Sequence, residues 1–176
     1  MAGASKRRLP PLWVLMALFF LLYGSLSVGL TIVFGLPWLA PLPVIPSLAV
    51  GVLLLAFGFG MYIWSIKSLS VRRAFGRELF KTAEESTLVT TGAYAHSRNP
   101  LYLSATVLIL GWFCVSRFTP LAILTVLAFV HFMFVAKWEE KELTERFGKT
   151  YPDYKARVPL LIPRLRRKSS EGGESS

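Results

Sequence analysis

Leu9 to Ile66 is a run of 58 residues without a single Asp, Glu, Lys, Arg or His. No water-exposed surface of that length stays free of charge, so the run belongs in lipid. Within it, Leu12 to Phe34 supplies 23 apolar or small residues. As a helix rising about 1.5 Å per residue they reach about 34 Å, enough for a hydrocarbon core of about 30 Å. Pro37, Pro41, Pro43 and Pro46 then make a turn that no helix continues through, and Val44 to Ile66 gives a second run of 23. A further apolar stretch, Asn99 to Ala136, carries only Arg117 and His131 from the same five residue types. Asn99-Pro100 predicts its start: Asn can cap free backbone N–H groups, and Pro at the first helical position loses nothing by lacking its own. This third span runs to about Ser116. Arg117 to Pro120 turns tightly into a fourth, Leu121 to about Ala136, to give a helical hairpin. Two spans this short tilt or shelter behind neighbours, with Arg117 reaching outward to the interface.

The polar remainder predicts interfacial structure. Lys67 to Arg98 mixes Leu69, Val71, Phe75, Leu79 and Phe80 with Arg72, Arg73, Arg77 and Lys81, the pattern of a helix lying on the cytoplasmic face. Ser86 to Tyr94, rich in Thr and with a Gly, reads as an extended segment and turn. From Lys137 the fourth helix turns polar without a breaker until Gly148. Thr150 with Asp153 resembles a capping box, which predicts a short helix from Tyr151 to Val158 closed by Pro159. The expected fold class is all-α: an integral membrane helical bundle of about four transmembrane helices, including a C-terminal helical hairpin, plus cytoplasmic interfacial helices. It divides into a two-span scaffold (1–66), a part with chemistry (67–163) and a basic, then Ser/Gly/Glu-rich disordered tail (164–176). Ser25 with Gly29 and Ala56 with Gly60 form small-xxx-small pairs suited to close helix packing.

Composition sharpens the orientation. The net charge of +10 and pI near 10.1 would suggest nucleic acid in a soluble protein, but the location of the bases gives another explanation. Three bases precede the first run, six lie from Lys67 to Arg98 and ten from Lys137 to Lys168, whereas Gly35 to Pro43 has none. The uncharged loop is therefore the translocated one, both termini face the cytoplasm, and the basic tail meets anionic lipid. Whether the membrane is a bacterial inner membrane or an endoplasmic reticulum is left open by this pattern. Cys114 is the only cysteine, which excludes an internal disulfide framework and a thiolate-rich metal site. The first apolar stretch is too long for a signal peptide and reads as a retained helix.

The unusual polar residues gather on the cytoplasmic side, in Tyr94 to Tyr102 and Glu139 to Arg157. Free N–H groups at the start of span three favour an anion near Asn99 to Tyr102, and Glu139 and Glu140 offer the opposite charge, an arrangement suited to a zwitterionic or sulfonium ligand. The same glutamates also fit a solvated interfacial pair, and Tyr151 and Tyr154 fit interfacial anchors. His131 reads as a neutral imidazole bonded to a neighbouring helix, and His96 as a surface loop residue.

Gly92-Ala-Tyr94-Ala-His96-Ser-Arg98-Asn99-Pro100-Leu-Tyr102-Leu103 resembles the G-x-Y-x-x-x-R-(H/N)-P-x-Y signature of the isoprenylcysteine carboxyl methyltransferase and phospholipid methyltransferase superfamily. Trp138-Glu139-Glu140-Lys-Glu-Leu143, followed by Phe147-Gly148-Lys-Thr-Tyr151-Pro-Asp-Tyr154-Lys-Ala-Arg157-Val-Pro159, resembles that superfamily's second segment, EE-x-x-L … FG-x-x-Y-x-x-Y-x-x-R-V-P. Together the motifs cover Thr90 to Pro163, about 40% of the chain, in the same order and separated by a hairpin. The resemblance implies a membrane enzyme that takes S-adenosyl-L-methionine from the cytosol and methylates a lipophilic acceptor: a prenylcysteine carboxylate, a lipid amine or a thiol. It implies no metal, while the placement of the basic residues, read as topology and lipid contact, implies no nucleic acid. It assigns Tyr94, Arg98, Asn99, Pro100, Tyr102, Leu103, Glu139 and Glu140 to the cofactor, with Glu139 preferred of the pair because adjacent helical residues diverge by about 100°. It assigns catalysis to Tyr102, Glu139 and Arg157, the last orienting an acceptor carboxylate. Asn99 departs from the histidine common in the isoprenylcysteine branch. Two other functions share parts of the pattern. An NADPH-dependent membrane reductase is one, since sterol reductases look similar at Arg-(H)-Pro-x-Tyr; a non-catalytic scaffold or transporter subunit is the other.

Overall fold

The computed structural model describes residues 12–75 and 88–161. The N-terminal bases, the middle of the expected interfacial segment (76–87) and the tail from 162 onward lie outside them. Five α-helices follow in order: α1 (Leu12–Val33), α2 (Val44–Phe75), α3 (Pro100–Ser116), α4 (Thr119–Phe147) and α5 (Thr150–Arg157), with a short 3-10 turn at Gly92–Ala95. Among the described residues there is no strand, only an isolated bridge between Leu39 and Phe118.

Chain breakers set most helix ends. Gly35, at φ 60°, ends α1, with the Leu36 N–H reaching back to the Thr31 carbonyl at 2.9 Å. Pro46 falls inside the first turn of α2, where its missing N–H removes no helical bond. The helix then passes Lys67 and continues to Phe75, beyond the expected end of the apolar span. Arg117, at φ 56°, separates α3 from α4, and Gly148, at φ 53°, stops α4. The capping box expected before α5 does not form: Thr150 is already helical, and Lys149 holds the cap position without a side-chain bond.

Among the described residues two helices, through Val44–Leu69 and Thr119–Glu145, are long and apolar enough to cross a membrane; Leu18–Val33 and Pro100–Ser116 are apolar but shorter. The windows of the two long segments are only 11% and 28% buried within the protein. Core helices of a soluble protein would be mostly covered, and Leu53, Phe57, Val126 and Phe134 stand exposed here instead. Such surfaces need an apolar solvent, as expected of a membrane protein.

Two compact units can be distinguished. One contains residues 12–59 and 105–132 of the described chain, and its core is Ile109, Leu124 and Ala128, with Phe19, Tyr23, Leu121 and Phe132 around them. Its close helix approach uses glycines other than those singled out in the sequence. A Cβ on Gly51 would lie 2.7 Å from Val115 Cγ2, and one on Gly111 would lie 3.0 Å from the Leu55 side chain, whereas Gly29 has nothing within 4 Å. Gly60, from the other expected pair, is equally open. The polar groups of this unit are largely paired. The Tyr23 hydroxyl and His131 Nδ1 are 2.8 Å apart, the bond to a neighbouring helix expected at that position. Arg117 Nη1 donates to the Leu42 carbonyl at 3.2 Å, tying the two interhelical loops together.

The other unit contains residues 60–75, 88–104 and 133–161. Its core is Tyr151, Tyr154 and Val158, packed by Leu88, Leu143 and Phe147. All the residues of both sequence motifs that carry polar chemistry belong to this unit.

Candidate functional site

The loop into α3 is held from two directions. On one side, the Ser68 hydroxyl accepts the Ala93 N–H at 3.2 Å and donates to the Trp64 carbonyl at 2.8 Å. Gly92 sits at φ 63°, and any Cβ there would collide with that hydroxyl, so both backbone freedom and space demand glycine. His96 is exposed, its ring tilted against Trp64, as expected of a loop residue.

On the other side the segment after α5 pairs with the loop. The Arg98 N–H donates to the Pro159 carbonyl at 2.9 Å, and the Asn99 N–H to the Leu160 carbonyl at 3.1 Å. Asn99 Nδ2 reaches the same Leu160 oxygen at 3.3 Å. The side-chain amide expected to cap α3 therefore binds the returning chain, while the Asn99 main-chain carbonyl accepts the Leu103 N–H at 3.2 Å. Ser97 is fully buried between these strands of contact, and Pro100 is buried at the helix start.

Tyr151 and Tyr154 are core residues, 2% and 4% exposed, rather than interfacial anchors. The Tyr154 hydroxyl donates to the Tyr94 carbonyl at 2.7 Å, which fastens α5 to the 3-10 turn. Burial raises both phenols above their ordinary range; for Tyr151 the neighbouring Glu140 adds to this and Arg98 opposes it.

The two glutamates part company. Glu140 is buried at 7% exposure and forms an ion pair with Arg98 Nη1 through Oε1 and with Lys155 Nζ through Oε2, the latter at 2.7 Å. It is not a solvated surface residue. Glu139 is half-buried and accepts the Tyr102 hydroxyl through Oε1 at 2.8 Å. Their divergence follows from the helical turn between neighbours, as the sequence suggested. The Arg98 side chain is 9% exposed, and its Nε–H has no hydrogen-bond partner among the described residues. A buried cation with one unmatched donor is a costly arrangement, and a bound anion would relieve it.

Tyr94, Arg98, Asn99, Tyr102, Glu139 and Glu140 are thus joined by direct contacts to one another or through the segment around α5. Leu103 is half-buried one turn into α3. Arg157 stands apart: it is exposed on α5 and its Nε donates to the Asp153 carbonyl at 3.1 Å, inside its own helix. Lys155 was not among the expected site residues. A lysine on a short polar helix reads as solvated, and the only sequence signal was that Tyr151, Tyr154 and Val158 would share the buried side next to it.

A family model described as phospholipid methyltransferase matches residues 46–150, more than half of the chain. The methanethiol S-methyltransferase of Crocosphaera subtropica is 33% identical over 85 residues, 46% of this chain and 31% of that protein. The protein-S-isoprenylcysteine O-methyltransferase of Saccharomyces cerevisiae is 35% identical over 114 residues, 59% of this chain and 44% of its own length. The nickel-cobalt-cadmium resistance protein NccN of Alcaligenes xylosoxydans xylosoxydans is 35% identical over 88 residues, covering 49% and 41%. The chain thus spans less than half the length of these curated relatives. No solved structure matches it. The match over residues 46–150 takes in most of α2 and all of α3 and α4, and the chain belongs to the phospholipid methyltransferase family.

Proposed function

We propose that this member of the phospholipid methyltransferase family binds S-adenosylmethionine at the α3 entrance and transfers its methyl group to a lipophilic acceptor. The observation that carries the reading is the split glutamate pair: Glu140 is matched by Arg98 and Lys155, while Glu139 stands outside that cluster and accepts the Tyr102 hydroxyl through Oε1; its second oxygen is the one we assign to a ligand. The donor's chemistry fits these groups. Its carboxylate suits the unmatched Arg98 Nε–H, and its positive sulfonium suits Glu139.

When bound, the donor supplies a carbon made electrophilic by the sulfonium, open to in-line displacement. The residues contribute alignment and exclusion of water. Tyr102 fixes the Glu139 carboxylate, and the Pro159–Leu160 pairing fixes Arg98 at the backbone. Asn99, Pro100 and Leu103 shape the helix start, and Tyr94 is held through its carbonyl by Tyr154. Arg157, exposed on α5, is the residue we assign to an acidic acceptor group.

The acceptor class follows from the setting: exposed apolar helices bring lipid to the protein, and the names of two relatives carry a thiol and a prenylated cysteine as acceptors. We read α1 and α3 as spans beside the two long helices, giving four, with both termini cytosolic by the distribution of basic residues.

The test is calorimetry with S-adenosylhomocysteine, followed by transfer of radiolabelled methyl into native membrane extract. Saturable binding in the wild type and its loss in Glu139→Ala support the reading. A folded protein that binds no S-adenosylhomocysteine and transfers no label would overturn it. Alkali then separates the acceptors, since a methyl ester releases volatile methanol and methylated nitrogen or sulfur does not.

A further inference from the structure

Glu140 has two oxygens and two cations. If Arg98 were its only partner, the buried pair would be neutral, and the guanidinium would offer little attraction to a second anion. Lys155 changes that balance. Its Nζ lies 2.7 Å from Glu140 Oε2, leaving a cluster of two cations around one carboxylate, with Arg98 and Glu140 each 9% exposed at the side chain. That positive charge lies beside Arg98 Nε, which lacks an acceptor among the described residues. The low-dielectric surroundings of Arg98 and Glu140 strengthen its effect, whereas the Lys155 ammonium, half exposed at 51%, is only partly screened.

We propose that Lys155 is a positioning residue for the methyl donor, which balances Glu140 so that Arg98 remains available to the donor's carboxylate. The proposal rests on the reading of this site as the donor site. Lys155 does not touch the donor; it acts through Glu140 on Arg98. A role of this kind is specific to the anionic end of the ligand, which sets it apart from a general structural role in docking α5.

That specificity gives the experiment. Binding of S-adenosylhomocysteine, which carries the carboxylate, and of 5′-methylthioadenosine, which lacks the amino-acid end, is measured by calorimetry on the full chain in detergent for wild type, Lys155→Met and Lys155→Arg. Lys155→Met is expected to weaken S-adenosylhomocysteine about five- to tenfold, the scale of one partly screened charge contact. Its affinity for 5′-methylthioadenosine stays within about twofold of wild type, the spread of a remote site with no shared partner, and Lys155→Arg restores S-adenosylhomocysteine binding. Equal weakening of both ligands would show a merely structural role, and no weakening of either would remove Lys155 from the site; each overturns the proposal while leaving the methyltransferase reading intact. Wild type that binds neither ligand overturns both.

Discussion

The two compact units handle buried polarity differently. In the unit of residues 12–59 and 105–132, side-chain polar groups find neutral partners: Tyr23 with His131 Nδ1, Arg117 with the Leu42 carbonyl, Thr125 with the Leu121 carbonyl. Among its described residues, the buried side-chain group without a partner is the Thr119 hydroxyl, a neutral donor. The unit of residues 60–75, 88–104 and 133–161 instead buries a cation with an unmatched N–H and a carboxylate with two cations. An unpaired hydroxyl costs little; an unmatched charged donor costs more, and persists where a ligand relieves it. The difference sets the candidate site apart from the rest of the chain without reference to any motif.

The sharpest way to break the comparison is Glu140→Ala, which leaves Arg98 buried and uncompensated. Loss of one partner of a buried pair typically costs about 3–5 kcal/mol, so the thermal midpoint falls steeply and S-adenosylhomocysteine binding goes with it. In the scaffold, Gly51→Leu drives a side chain into Val115 and the Gly111 carbonyl. Overpacking of this kind costs about 1–3 kcal/mol; thermal unfolding shifts while the affinity of the folded fraction for S-adenosylhomocysteine does not. Tyr102→Phe reverses that pattern. It removes one hydrogen bond to a carboxylate, worth about 1.5 kcal/mol or slightly more, and should weaken S-adenosylhomocysteine about tenfold with little change in the midpoint. Tyr23→Phe removes a neutral bond worth about 1 kcal/mol and should lower the midpoint alone. A Tyr23→Phe variant that loses ligand binding would blur the distinction between the units.

A pH effect sharpens the comparison at the smallest scale. Burial raises the Tyr151 and Tyr154 phenols in the folded state, so their stabilising contribution is complete below the unfolded value of 10.0 and is lost as pH rises beyond it. Alkaline titration should therefore loosen this unit, and Tyr154→Phe should lessen the dependence, as followed by tyrosine absorbance and thermal midpoint.

Much of the backbone was legible because breakers write it plainly. Asn99-Pro100 starts α3, and Gly148 ends α4, as read from the chain. Polarity is a weaker boundary. α2 runs past Lys67 because charge alone does not end a helix, and no Gly or Pro intervenes before Gly76. The packing glycines are not evident from spacing for a related reason. Spacing reveals pairs of small residues, but which face of α2 meets α3 depends on Leu55, Leu108 and Val115, whose partners sit far along the chain. At the site, the residue types near α3 and α4 were legible and their pairing was not. Glu139 and Glu140 look alike in sequence, and only the three-dimensional turn gives one to Tyr102 and the other to Arg98. Lys155 gave no sign of its partner.

The pairing of Pro159 and Leu160 with Arg98 and Asn99 also governs when the site can exist. A ribosome delivers α1 through α4 first, and chains fold as they emerge. Until Leu160 has left the exit tunnel, Arg98 lacks its backbone tether and Glu140 lacks Lys155. A nascent chain already threaded through its helices therefore still lacks the contacts on which the proposed donor site depends, and their assembly is a late event of biogenesis, after the apolar helices have been made.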